Sequence, residues 1–555
     1  MVRWLVPVVL ILPVLAGMAA TLAPAFDRGA DGLTGFAQLW RWPGLPAAAA
    51  LSVQTGFVST LVALLTALLI TAFLISAGLS GRRAQVLRHV LSPLLAVPHA
   101  AAALGLAFLF SPSGWIARVV SPWATGWHTP PDLLILNDPA GVSLIFGLIA
   151  KELPFLMLMS LAALPQTDAP RRMMVAATLG YGRMAGFALT VAPALYRQLR
   201  LPVYAVLAYG MTSVDMAMIL GPTLPHTLAV QVGDWFTDPG LDHRAIAAAG
   251  AAVQVALVGA ALVVWRLAEA VAAGLVQRQA RAGRRWRAWD GGLAAAGQVM
   301  AWLAALALLA GLAGLALWSV AGLWTFPNAV PDALTLSTWR SAAPGLGQAM
   351  QASLLLAVVS TGLALVMVLA WVQADHVLNL SPHPAALWLL YLPLIAPQVS
   401  FLPGLAQVTL RLGARAGHVG VVLAHLTFVL PYVYLSLAPA FRAWDRRYGT
   451  IAAALGASET RIFLRLRLPM LLAPVMTAAA LGMAVSIGQY LATLLVGGGR
   501  IATLTTEALA LSSGGNHRVI GAYGLLQTVL PALGFALALT LPRMFYANRR
   551  GMSAT

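Results

Sequence analysis

Of 555 residues, 60% are hydrophobic and only 9% charged, against about 25% charged in a soluble domain; a water-soluble fold could not clothe its surface with so few, so the surrounding solvent is lipid. The net charge of +17 does not mark a nucleic-acid binder, because the basic residues fall between apolar runs rather than on one patch. The sequence has no cysteine, which excludes disulfides and thiolate metal sites.

The first apolar run, 4–25, follows a single Arg and is as long as a bilayer-spanning helix requires. It reads as an uncleaved first helix rather than a signal peptide. Further runs follow at 51–78, 90–111, 139–164, 202–222 and 244–272, and a second set at 293–318, 349–373, 385–408, 417–441, 474–496 and 520–541. The expected fold class is therefore all-α integral membrane, with about twelve transmembrane helices in two six-helix halves, 1–276 and 293–555. The segment between them, QRQARAGRRWRAWDGG over 277–292, reads as a cytoplasmic linker that anchors topology or binds anionic lipid headgroups. Gly and Ala are frequent in the spans, as close helix packing in lipid requires. Pro98, Pro154, Pro397, Pro403 and Pro431 read as kinks packed against neighbouring helices.

Arginine sets the orientation, since Lys151 is the only lysine. With a cytoplasmic N-terminus, the inside loops hold Arg82, Arg83 and Arg88, the group Arg171 to Arg200, the linker arginines, the group Arg442 to Arg467, and Arg543, Arg549 and Arg550. The outside loops hold fewer arginines and carry Asp27, Asp31, Asp132, Asp138, Asp234, Asp238, Asp242 and Asp332. The positive-inside rule then places both termini in the cytoplasm.

Each half has one long inside loop before its fifth span, about 165–200 and about 442–473. The first contains RRMMVAATLGYGRMAGFALTVAPAL (171–195) and the second RRYGTIAAALGASETRIFLRLRLPML (446–471). At an offset of 276, Ala176, Ala177, Leu179, Gly180, Phe187 and Pro193 fall on Ala452, Ala453, Leu455, Gly456, Phe463 and Pro469. A Gly in such a run of small residues ends a short helix, and the Pro suits the first turn of the next. Each loop therefore reads as a helix–turn–helix along the cytoplasmic face. Its small residues would let another protein approach closely, and Arg461 and Arg465 would point to water or headgroups. A loop that merely spaces two helices would not need the same small residues and the same Pro in both copies.

These loops resemble the coupling motif of permease subunits in ATP-binding-cassette importers: Glu-Ala-Ala, three residues, Gly, nine residues, then Ile-x-Leu-Pro. Ala176, Gly180 and Pro193 match it in the first copy, and Ala452, Gly456, Leu468 and Pro469 in the second. The Glu is replaced by Met174 and Thr450, the first Ala by Val175 and Ile451, and Ala192 stands where Leu is usual. The resemblance implies a type I importer fold and a role for both loops in gripping and following a cytoplasmic ATPase. Two ATPase copies would dock below, with ATP and Mg bound there and no cofactor in this chain, while a periplasmic solute-binding protein delivers from above. A fused double permease resembles the ferric-iron and thiamine importers and their uncharacterised relatives. Weaker echoes join SPLLAVPHAAAALGLAF (92–108) to LPLIAPQVSFLPGLAQV (392–408).

Charged residues within spans are costly and point to function. Lys151 and Glu152 in the fourth span and Asp215 in the fifth are the candidates for a translocation path, the alternative being helix-packing roles. Nothing marks catalysis. There is no Walker-type phosphate loop, His376 and His383 lack metal-ligand companions, and Gly497, Gly498 and Gly499 read as a mobile outside loop. A twelve-helix secondary transporter would not place its repeated signature before the fifth span of each half. A membrane-embedded enzyme would need convergent acids, histidines or a metal site.

Overall fold

The computed structural model describes residues 2–29, 32–76, 97–240, 243–380, 384–413, 417–514 and 516–546. The loop holding Arg82, Arg83 and Arg88, the residues His383 and Arg415, and the tail with Arg549 and Arg550 lie outside the described residues.

The chain folds as helices. In the first half these are α1 (Val2–Leu22), α2 (Thr34–Arg41), α3 (Leu45–Ser76), α4 (His99–Phe110), α5 (Trp115–Val120), α6 (Val142–Ala163), α7 (Ala169–Thr178), α8 (Arg183–Gly186), α9 (Ala192–Thr212), α10 (Asp215–Leu220), α11 (Leu228–Thr237) and α12 (His243–Ala282). The second half has α13 (Asp290–Val320), α14 (Ser337–Val377), α15 (Pro384–Ile395), α16 (Leu402–Arg411), α17 (His418–Ala443), α18 (Arg446–Ala454), α19 (Glu459–Ile462), α20 (Leu468–Met470), α21 (Leu472–Ile487), α22 (Leu491–Gly497), α23 (Leu504–Ser512) and α24 (His517–Tyr546). The only ladder among the described residues pairs Arg28 with Leu33 and Gly29 with Gly32. Among those residues, nine helices are long and apolar enough to cross a bilayer, and two bent pairs bring the number to eleven.

Several expected boundaries move: the run at 349–373 starts at Ser337 in α14, and the run at 474–496 breaks between Ile487 of α21 and Leu491 of α22. The span expected at 202–222 starts earlier, at Ala192 in α9, because Tyr196-Arg197-Gln198-Leu199-Arg200 continues the helix despite its polarity, and it stops at Ser213. The run at 385–408 bends by 93° between α15 and α16, where Pro397 interrupts the amide ladder. The linker is shorter than expected, since α12 continues through good helix formers to Ala282 and stops before Gly283, which has positive φ.

Every helix must satisfy its backbone internally in lipid, and polar side chains finish the breaks. The Leu228 amide at the start of α11 donates to Ser52 Oγ at 3.0 Å, and the Leu504 amide at the start of α23 donates to Ser353 Oγ at 2.9 Å. The same rung thus recurs in both halves.

The halves are interlocked. Helix α1 packs on α16, α15 and α14 of the second half, and α13 packs on α3 and α4 of the first. Both exchanged contacts close through glycine. A Cβ on Gly105 would sit 2.9 Å from the Gly311 carbonyl carbon, and one on Gly404 would strike the Gly17 carbonyl oxygen. With no hydrophobic drive between helices in lipid, such close backbone approach supplies the packing. The Gly404 amide also donates to Thr21 Oγ1 at 2.7 Å. On the α5 side, Arg118 is buried 4.9 Å over the Trp324 ring and donates to the Ser113 and Thr325 carbonyls at 2.9 Å.

This packing puts both long loops at one end of the bundle. The C-terminal end of α1 and the adjoining turn pack on the start of α12, whereas Val6 and Leu10 near its N-terminus share a core with Trp371, Trp444 and Ile462 beside the second loop. Helix α12 runs from that start to Ala282, next to the first loop.

Candidate functional site

The repeated loops fold into two matching elbows. In the first, α7 ends at Leu179 and the Gly180 backbone enters the left-handed region at φ 82°. The Gly180 amide donates to the Ala177 carbonyl at 2.9 Å and the Tyr181 amide to the Ala176 carbonyl at 3.0 Å. In the second, Gly456 has φ 84°, its amide donates to the Ala453 carbonyl at 2.9 Å, and the Ala457 amide to the Ala452 carbonyl at 3.0 Å. This pair of bonds is a Schellman closure, which needs a residue without Cβ at the left-handed position. After it, α8 and α19 each pass through a π-helical turn, Phe187–Val191 and Phe463–Arg467, before the next helix. Pro193 and Pro469 stand in the first turns of α9 and α20, where a missing amide costs nothing.

The repeated residues divide between inside and outside. Ala176 is 1% exposed and meets Gly186, on which a Cβ would lie 3.0 Å from the Ala176 methyl. Phe187 is buried, and Phe463 is half-buried in the second elbow. Ala177 and Ala453 face outward, and Ala452 is half-buried beside buried Ile462. Leu179 is 58% exposed and Leu455 83%, and Met174, Val175, Tyr448 and Ile451 are also exposed. Each elbow therefore presents an apolar tip at the bundle end, the kind of patch that marks a protein contact. Arg461 and Arg465 are exposed, as the sequence suggests.

The braces of the elbows were not visible in the sequence. In the first, the Asp290 carboxylate, at the start of α13, accepts from the Met184 amide at 3.1 Å and from the Arg183 amide, and Arg287 Nε donates to the Gly180 carbonyl at 2.7 Å. In the second, Asp445 Oδ1 accepts from the Arg447 amide at 2.9 Å, capping α18. Arg467 is buried there, 4.4 Å over the Trp444 ring and 3.7 Å from Glu459, and it donates to Gln373, which itself donates to Glu459 at 2.9 Å.

The charged span residues gather elsewhere, between the halves. Glu152 lies buried in α6 beside buried Lys151, with Oε1 3.2 Å from His99 Nε2. The His99 ring lies tilted against Tyr209 with centroids 4.6 Å apart, the Tyr209 hydroxyl donates to Asp215 Oδ1 at 3.1 Å, and Ser213 Oγ donates to the same oxygen at 3.2 Å. Glu152 and Asp215 are thus the two ends of one polar chain. From the second half, α15 packs on α9 and α23 on α10. With Pro154 set on Pro431, the matching second-half positions of Lys151 and Glu152 are Phe428 and Val429, and that of Asp215 is Leu491, so the chain of charges belongs to one half. Among the described residues no group of His, Asp and Glu is arranged to hold a metal ion.

Comparison with known proteins decides the family. Residues 362–548 match the binding-protein-dependent transport system inner membrane component. Over 99% of its length, the chain is 30% identical to the inner membrane ABC transporter permease protein YnjC of Escherichia coli K12, covering 97% of that protein. The chain belongs to the inner-membrane permeases of ABC importers. Shorter similarities fall on the spermidine/putrescine permease PotC of Haemophilus influenzae, at 27% identity over 27% of this chain and 57% of that one, and on the molybdenum permease ModB of Mycobacterium bovis, at 32% over 28% and 60%. This permease is a multi-pass inner-membrane transport component rather than an enzyme, working with an ATPase and a solute-binding protein.

Proposed function

We propose that the two elbows are the coupling elements of the permease, and that one chain receives two ATPase copies, one on each. The observation that carries this reading is the same Schellman turn at both loops, closed by Gly180 and Gly456 and tipped by exposed Leu179 and Leu455. On this reading the elbow end and both termini face the cytoplasm, ATP and Mg are bound on the ATPase, and the solute-binding protein delivers at the opposite end. The two permease domains, 1–276 and 293–555, are each completed by the other's first helix. Closure of the ATPases on ATP draws the elbows together and reorients the bundle between two states. The solute passes between the halves, beside Glu152, His99, Tyr209 and Asp215, with Lys151 adjoining. Each elbow leads through its π-helical turn towards the next span, with a 75° bend before α21, and a packed helix moves as a body.

Copurification tests the docking. An affinity-tagged permease retains two ATPase copies per chain, and the double variant Gly180→Val, Gly456→Val retains none while still inserting in the membrane. Full retention by the double variant removes the elbows from the contact.

A further inference from the structure

The linker does not hang free between the halves; it lies on the first elbow. Its residues 283–290 follow the end of α12, and the Gly182 amide donates to the Arg285 carbonyl at 3.4 Å. Arg287 Nε holds the Gly180 carbonyl at 2.7 Å, the carbonyl of the residue on which the turn depends. A Cβ on Gly180 would lie 3.2–3.3 Å from the Arg287 and Arg285 guanidinium groups. Asp290 then accepts from the first two amides of α8, Arg183 and Met184. Those amides have no partner within the helix, so a carboxylate from more than a hundred residues away supplies the cap that a local Ser or Asp usually provides.

Among the described residues the second elbow has no counterpart of this contact. Ser458 stands at the start of α19 without a side-chain cap bond, and a Cβ on Gly456 would meet nothing within 4 Å.

We infer that the linker is a working part of the first coupling element: Asp290 and Arg287 are positioning residues for it, and one ATPase meets elbow and linker together while the other meets an elbow alone. This rests on the docking reading above. The composite surface joins the apolar Met174, Val175 and Leu179 to exposed Arg284, Arg285 and Arg287. The sequence from 169 to 200 contains no acidic residue, and Met174 replaces the motif's Glu. The partner that fits is an ATPase groove with an apolar floor and carboxylates on its linker side, whose attraction weakens with salt.

Because the sequence has no cysteine, a single Leu179→Cys or Leu455→Cys chain reports each elbow separately by cross-linking to the ATPase in the assembled complex. Adding Asp290→Ala lowers the yield at position 179 about fivefold and leaves position 455 unchanged. Asp290→Asn, which keeps an acceptor, restores position 179. Arg287→Lys, which keeps the charge but loses the planar donor, lowers position 179 alone, and raised salt reduces 179 more than 455. Equal loss at both positions, or no loss at 179 in either linker variant, overturns the inference. No cross-link from either cysteine with the natural linker would instead sink the docking reading.

Discussion

The two elbows share a backbone and differ in what holds it. Both close on a glycine near φ 80° with the same two amide bonds. The first is then fastened from outside its own half, by Arg287 of the linker and Asp290 of α13. The second is fastened within its half, by Asp445, and by Arg467 seated on Trp444 and joined to Gln373 of α14 and to Glu459. A turn that requires a particular backbone conformation permits few residues, so both copies keep the same ones. A brace requires only that some donor meet some acceptor, so each copy has its own. The same difference runs through the bundle, where Glu152 and Asp215 of the first half have Val429 and Leu491 at the equivalent places in the second.

The comparison breaks most sharply at the shared glycines. Val at a left-handed position costs about 1–2 kcal/mol, so Gly456→Val, with open space around it, acts through backbone strain alone. It should weaken ATPase retention about tenfold, as should Gly180→Val. If Gly456→Val retains the ATPase normally, the turn is not what the partner grips.

The separate braces come next. Arg467→Met leaves the Gln373 carbonyl without its donor and Glu459 without its cation, a loss of about 1–3 kcal/mol. Amide exchange over 446–467 should rise about tenfold while 169–186 stays unchanged. Equal acceleration in both elbows would mean that they are braced as one unit.

For the path, Glu152→Gln and Asp215→Asn should each cut solute uptake about fivefold, with basal ATP hydrolysis retained. Phe428→Leu, at the position matching Lys151, should change uptake by less than about twofold. Unchanged uptake in both carboxylate variants removes the polar chain from the route. Smallest is the effect of the tips: Leu455→Ser should weaken ATPase retention about threefold, and Leu179→Ser by less, because Leu455 is the more exposed.

What the sequence revealed follows the same division. Gly180, Gly456, Pro193 and Pro469 were legible because each answers a local backbone demand at fixed spacing. Lys151, Glu152 and Asp215 were legible because charge inside an apolar run is costly. Their partner His99 was not, since a neutral residue at the start of a span signals nothing. The pairing of Asp290 with Arg183 and Met184 joins distant segments, and the basic run beside it reads equally well as a topology anchor. Nor could the exchange of α1 and α13 be read. Both helices are apolar on nearly every side, so no periodicity names a neighbour, and Gly17, Gly105, Gly311 and Gly404 look like the many other small residues of the spans.

The most direct measurement is the sidedness of the tips. Leu179→Cys and Leu455→Cys chains, in cells and in inverted vesicles, are treated with a thiol reagent that cannot cross the membrane. Both cysteines should react only in inverted vesicles, and added ATPase should protect both. Labelling of either cysteine from the outside of intact cells would contradict the account.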